Sequence, residues 1–213
     1  MKRQLRSALI VFATIAISSI GSIASAQPVI DGYFSPGEWA AATNYQLKIN
    51  LPEGGATAGD LYIWNDLTDI YVAVRYQRTT VDEGVQAGII FDWQRTGILS
   101  DGNDSIALQQ FPACGQPSFY DGFITSASPA CAFDGVGCNT EDTLNNGSQD
   151  GQGTIRRDGV WMTYEMRHPL NSGDFRDMAV TRPMTMEFGF QVSLSNTAGI
   201  GVFTVLQAKY RMY

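Results

Sequence analysis

Histidine is almost missing from this chain of 213 residues, which has one, His168, and cysteine is scarce, with three. A lone histidine inside an alternating strand-like run, with no Gly-x-Ser-x-Gly anywhere, excludes the usual arrangements for nucleophilic hydrolysis. No Cys-x-x-Cys-His occurs, which excludes covalent c-type haem attachment, and no Cys-x-x-Cys marks a zinc site. Lys and Arg number 14 against 21 Asp and Glu, so there is little basic surface for a nucleic-acid backbone. Glu38, Asp92 and Glu165 are carboxylates a glycosidase could use, but no spacing makes two of them a pair. The sequence therefore predicts a protein that is not an enzyme.

What is present begins with an export pattern. Lys2, Arg3 and Arg6 precede a largely apolar run from Ala8 to Ile23, and Ala24-Ser25-Ala26 supplies the small-x-small cleavage site of a signal peptide. An uncleaved anchor is the rival, but Thr14, Ser18, Ser19, Gly21 and Ser22 break the run, which is short for a membrane span. Residues 1–26 are thus read as a signal peptide, and residues 27–213 as one secreted or periplasmic domain with no transmembrane segment. Loss of the signal leaves 11 Lys and Arg against 21 Asp and Glu, a formal net charge of −10. About 187 residues suffice for a single well-buried core.

The mature chain has the period of strands. In "DLYIWNDLTDIYVAVRYQ" two extended runs flank a polar turn, and Ile70, Val72, Val74 and Tyr76 alternate with Tyr71, Ala73, Arg75 and Gln77, which predicts a hairpin. "VQAGIIFDWQ", "SIALQQF", "GVWMTYEMRHPL", "MTMEFGFQVSLSN" and "GVFTVLQAKYRMY" add five more strands between Gly-, Asn- and Asp-rich turns. No segment keeps a helical period over three turns. The expectation is an all-β antiparallel sandwich. A closed outer-membrane barrel is set aside, because in the last strand Tyr213 shares its face with Arg211, Lys209 and Gln207.

Cys114, Cys131 and Cys138 fall in a polar, Gly-rich stretch from about 111 to 153, read as a loop insertion. In an exported protein two of them are expected to form a disulfide; Cys131 with Cys138 closes the shortest ring, although spacing does not decide the pairing.

Ile30-Asp31-Gly32 with Glu38-Trp39, then Trp64-Asn65-Asp66 before Ile70-Tyr71-Val72-Ala73-Val74, resembles the opening of the family 9 carbohydrate-binding modules and their DOMON-like relatives. Phe91-Asp92, Asn103-Asp104-Ser105-Ile106, Trp161 with Tyr164-Glu165 and Pro169-Leu170, and Phe188-Gly189-Phe190 follow in the order that family requires. The resemblance covers most of the mature chain outside the cysteine stretch. It implies a jelly-roll β-sandwich that binds a carbohydrate or glycan without turning it over. It also implies a structural role for Asp31, Glu38, Trp39, Trp161 and Glu165, the Asp-Gly turn and the Glu-Trp pair fastening the N-terminal segment to the sandwich. The residues agree: Trp39 stands before Ala40-Ala41-Ala42, small side chains that let an indole pack closely.

A sugar site needs a flat aromatic face and hydrogen-bonding groups beside it. Trp93, at the end of a strand, is the first candidate platform. Trp64 is the second, with Asn65, Asp66 and Arg75 as polar neighbours. The resemblance also implies calcium, since such sandwiches commonly bind it, and Asp92, Asp101, Asn103 and Asp104 form an oxygen-rich stretch for a hard cation. It is no EF-hand, because the twelfth position from Asp101 is Pro112. His168 stands where the family strand tends to read Ile before Pro, and Met162, Tyr164, Met166 and His168 share one face. Some relatives of the fold hold b-type haem between such side chains, so His168 with Met166 is an alternative haem site in a periplasmic electron carrier. A surface or assembly protein without a small ligand is the third reading.

Overall fold

The computed structural model describes residues 27–80, 84–95, 102–110, 118–125, 138–181, 183–195 and 201–212. The signal segment, Asp101, Cys114 and Cys131, and with these cysteines the disulfide expectation, lie outside the described residues.

The hairpin read from alternation is there: β2 (Ala56–Asn65) and β3 (Asp69–Gln77) pair antiparallel, with Ile63 opposite Val72 and Leu61 opposite Val74. The flanks are β1 (Thr43–Asn50) on one side and β9 (Trp161–Pro169) with β8 (Gln152–Asp158) on the other, giving a five-stranded sheet in the order β1-β2-β3-β9-β8. The second sheet runs β11-β10-β4-β5-β6-β7. Its strands are β4 (Gly84–Phe91), β5 (Asp104–Gln110), β6 (Ser118–Thr125), β7 (Cys138–Glu141), β10 (Met184–Ser195) and β11 (Gly201–Met212). All pairings are antiparallel. The two sheets pack face to face, β1 against β11 and β8 and β9 against β5 and β6. No helix among the described residues is long and apolar enough to cross a membrane. This is the expected all-β antiparallel sandwich.

Period-2 alternation makes the core. Ile70, Val72, Val74 and Tyr76 on β3 and Tyr164 and Met166 on β9 face Ile89, Phe91, Ile106, Leu108, Phe188 and Phe190 across the gap. Each such side chain, moved from water to the interior, contributes about 1.5–3 kcal/mol. The two tyrosines near the middle stay dry without a lost hydrogen bond, because their hydroxyls meet at 3.0 Å and their rings stack.

Four strands carry too weak a pattern to be read from sequence. β1 lies at an edge and fully buries only Leu47 and Ile49. β8, the opposite edge, buries only Ile155. The stretch 111–153, expected as a loop insertion, supplies β6, β7 and the start of β8. In β6 an aspartate, Asp121, occupies an inward position opposite Ile106, which breaks the apolar alternation that would have marked a strand.

Candidate functional site

The N-terminal segment is a clasp on the outer face of the five-stranded sheet. Asp31 and Gly32 donate backbone N–H bonds, at 3.1 and 2.7 Å, to Oε2 of Glu165 on β9. Glu38 closes the segment on itself, accepting from Val29 N at 2.7 Å and Ser35 N at 3.0 Å. Gly32 has φ +79°, and a Cβ there would lie 2.6 Å from the Cβ of Arg156, so the turn needs glycine. Trp39, only 3% exposed, packs on Tyr71 and Ala73, with Phe34 stacked beside it and Tyr62 tilted against it. This roof explains why Tyr71 and Ala73, on the outward face of β3, are buried. Trp161 is half-buried, with the Arg75 guanidinium 4.2 Å over its ring and 5.0 Å from that of Phe34.

The clasp occupies much of the surface beside Trp64, the second of the two candidate sugar platforms. Trp64 points outward, half-buried and tilted against Tyr71 at 5.2 Å. Asn65 points the other way and accepts a hydrogen bond from Tyr210 Oη at 2.9 Å. Asp66 holds the β2–β3 turn, accepting from the backbone of Thr68 and Asp69. Arg75 lies between Phe34 and Trp161. These four therefore divide among the outer face, the interior and a turn. Trp93 is half-buried against the main core, and its Nε1 is buried without an acceptor.

The outer face of the six-stranded sheet has a different character, which sequence reading did not single out. Strand register lines up Gln191, Gly88, Ala107 and Tyr120 across four strands. The next row holds Ser193, Gln86 and Gln109, and Gln207 faces Gly189 on the other side. Gln86, Gln109, Gln191 and Tyr120 are half-buried and Gln207 is exposed. The Gln109 amide donates to the Tyr120 hydroxyl. A Cβ added at Gly88 would touch only its neighbour strand at Ile106 and Ala107. The result is a floor of small residues bordered by side-chain amides and one phenol. The signal was a single outward glutamine in each of β4, β5, β10 and β11, and glutamine in strands is also ordinary solvent-facing filler.

Between the sheets, at one end, lies a buried acidic centre. Asp104 from β5, Asp121 from β6, His168 from β9 and Asp177 from the connection to β10 are all at most 2% exposed. Each offers one ligand atom, and these atoms lie within 4.8 Å of one another. His168 Nε2 is 3.1 Å from Asp121 Oδ2 and 3.5 Å from Asp177 Oδ2. Asp104 Oδ2 accepts from Met178 N at 2.9 Å, and Asp121 Oδ2 accepts from Asp150 N at 2.8 Å. Asp142, in a 3-10 turn (Asp142–Asn145), is also buried and forms a second grouping with Asp174 and Asp177. Burial, with the neighbouring carboxylates, pushes Asp104 up to about 7 and Asp142 up to about 9. Burial alone would lower His168, but Asp104, Asp121 and Asp177 outweigh it and raise the imidazolium to about 11.

Of the expected calcium ligands, Asp104 is turned inward to this centre, while Asn103, buried just before β5, accepts at its backbone carbonyl from Ile124 N at 2.9 Å. Asp92 is buried at the end of β4, its backbone N–H bonded to the Glu187 carbonyl. Met166 shares the inner face with His168 but packs in the main apolar core. Carboxylates surround His168, and that environment favours a small cation over an apolar macrocycle such as haem.

No family model matches the sequence, and a search of curated proteins finds no match. Solved structures do match. A family 9 carbohydrate-binding module from Caldicellulosiruptor kristjanssonii, in complex with glucose, superposes with a TM-score of 0.52 over 84% of this chain and 81% of its own, at 14% identity. A module of that family from that organism in complex with cellotriose gives a TM-score of 0.53 over 84% of this chain and 79% of its own, also at 14% identity. The fold of this chain is therefore similar to that of family 9 carbohydrate-binding modules.

Proposed function

We propose that the protein is an exported, non-catalytic module that binds a neutral glycan on the outer face of the six-stranded sheet. The observation that carries the reading is the group of side-chain amides in two adjacent rows, Gln191 in line with Gly88 and Ala107 and Gln86 beside Gln109 in the next. Sugar hydroxyls each donate and accept, and a carboxamide does both from one group. Gly88 and Ala107 keep the floor low but are themselves buried, so the half-buried amides are the contact surface, with Tyr120 supplying an aromatic edge beside them. Those two rows, Gln191-Gly88-Ala107-Tyr120 and Ser193-Gln86-Gln109, contain no carboxylate, so they offer recognition without an acid–base pair. A mature net charge of −10 favours neutral over acidic polysaccharides. The fold-level likeness to modules solved with glucose and cellotriose supports the same ligand class. Export rests on the signal pattern of residues 1–26.

The test is affinity electrophoresis through gels containing soluble glucans, xylans or mannans. At least one neutral glycan is expected to retard the wild type. Gln86→Ala and Gln191→Ala should each weaken retardation about two- to tenfold, the loss of one hydrogen-bonding group. Trp93→Ala and Trp64→Ala should retain it. If Trp64→Ala or Trp93→Ala abolishes retardation while the glutamine variants keep it, the site belongs to the indoles instead. If no glycan retards the wild type, the reading fails.

A further inference from the structure

We infer that Asp104, Asp121, Asp177 and His168 form a binding site for one divalent cation of the manganese or zinc kind, separate from the proposed glycan face. The first argument is charge. Asp104, Asp121, Asp142 and Asp177 are four carboxylates buried in one place. Among the described residues no lysine or arginine pairs with any of them. His168 as an imidazolium offsets one, and the side-chain hydrogen bond between Asp142 and Asp177 accounts for a second, which leaves carboxylate charge in excess. Buried charges need a partner, and a divalent cation supplies what the side chains lack.

The second argument is the unfilled oxygens. One oxygen of each ligand aspartate is tied down: Asp104 Oδ2 by Met178 N, Asp121 Oδ2 by Asp150 N, Asp177 Oδ2 by Ser172 Oγ. The other oxygen of Asp104 and of Asp121, Oδ1 in both, is buried with no hydrogen-bond donor, while Asp177 also meets the carboxyl of Asp142; Nδ1 of His168, the ring nitrogen away from the Nε2 contacts, is buried without a partner too. Natural interiors rarely leave such atoms without partners, and several in one cluster point to a missing cation rather than to missing donors. Four elements hold the carboxylates and ring so that their ligand atoms lie within 4.8 Å of one another. Ligands about 2.1 Å from a metal are separated by roughly 3.4 Å in a tetrahedron and 4.2 Å across an octahedron.

The third argument selects the metal. Calcium takes oxygen ligands, whereas an imidazole among three carboxylates suits manganese or zinc. The neighbouring grouping of Asp142, Asp174 and Asp177 has oxygen donors only. There Asp174 is already engaged, Oδ1 by Arg176 N and Oδ2 by Ser148 N. That grouping also shares Asp177 with the first, and a single ion in the histidine set uses Asp177 once.

The test is metal binding by the purified protein, stripped with a chelator and titrated with Mn2+ under electron paramagnetic resonance. One tightly held Mn2+ per chain is expected, with a nitrogen modulation from a coordinated imidazole, displaceable by Zn2+ and poorly by Ca2+. Chelation should lower the thermal midpoint, and restoring Mn2+ or Zn2+ should raise it by several degrees. His168→Gln should remove the nitrogen modulation and weaken binding at least tenfold, and Asp104→Asn should weaken binding comparably while keeping the modulation. Because the variants could misfold, the wild-type spectrum decides by itself. Bound Mn2+ without nitrogen modulation, binding of Ca2+ alone, or no cation held and no thermal response would each overturn the site.

Discussion

Trp39→Ala is expected to destabilise the protein by about 3–5 kcal/mol, the usual cost of emptying a buried aromatic site. The indole is the centre of a small cluster that stands apart from the main core, with Tyr71 and Ala73 beneath it and Phe34 and Tyr62 at its sides. Ile30, Phe34 and Ala42 pack around this same ring, so the loss falls on the clasp first. Urea unfolding should show the reduced midpoint. Limited proteolysis should cut the variant between Val29 and Ala42 under conditions in which the wild type and the remaining sandwich resist. A change below about 1 kcal/mol with unchanged proteolysis would mean that the indole does not hold the clasp.

The second large effect is a pH dependence at the other end of the same clasp. Burial raises Glu165 to about 7 from 4.5; the backbone N–H groups of Gly32 and Asp31 pull it down and the charges of Glu38 and Asp31 push it up. The folded protein therefore keeps a proton that the unfolded chain has lost in this window. The stabilising contribution of that proton is whole below about 4.5 and is lost as pH rises through about 7, an amount on the order of 3 kcal/mol. Glu165→Gln keeps an oxygen for the two N–H donors and does not titrate. The difference in unfolding free energy between wild type and variant should shift steadily in favour of the variant across that window and level off above it. Parallel stability curves from about pH 4 to pH 8 would contradict the assignment of the buried proton to Glu165.

Both predictions act on Asp31, Gly32, Glu38, Trp39 and Glu165, residues singled out from the sequence alone. They were legible because a short motif repeats the local chemistry of a turn and a ring. The β2–β3 hairpin and the strands β4, β5, β9, β10 and β11 were legible because apolar residues recur at every second position on the face each turns to the core. The edge strands β1 and β8 were not, since each buries only one or two apolar side chains fully. The acidic centre was hidden for another reason. Its ligands at 104, 121, 168 and 177 come from separate strands and a connection, so no spacing joins them, and only the register of two packed sheets brings them together. Local reading grouped Asp104 with Asp92, Asp101 and Asn103 by proximity in sequence, whereas the fold brings Asp104 to Asp121, His168 and Asp177. The amide group is likewise a product of register: Gln86, Gln109 and Gln191 belong to three strands and come into adjacent rows only across the sheet.

The most direct test of the glycan reading follows the side-chain amide resonances of the isotope-labelled protein during titration with glucose and cello-oligosaccharides. The account predicts saturable shifts of the Gln86, Gln109 and Gln191 carboxamides and of the Gly88 backbone amide, larger for the oligosaccharide than for the monosaccharide. Saturable shifts confined to the indole resonances of Trp64 or Trp93, with the glutamines unmoved, or no shifts with any neutral glycan, would contradict it.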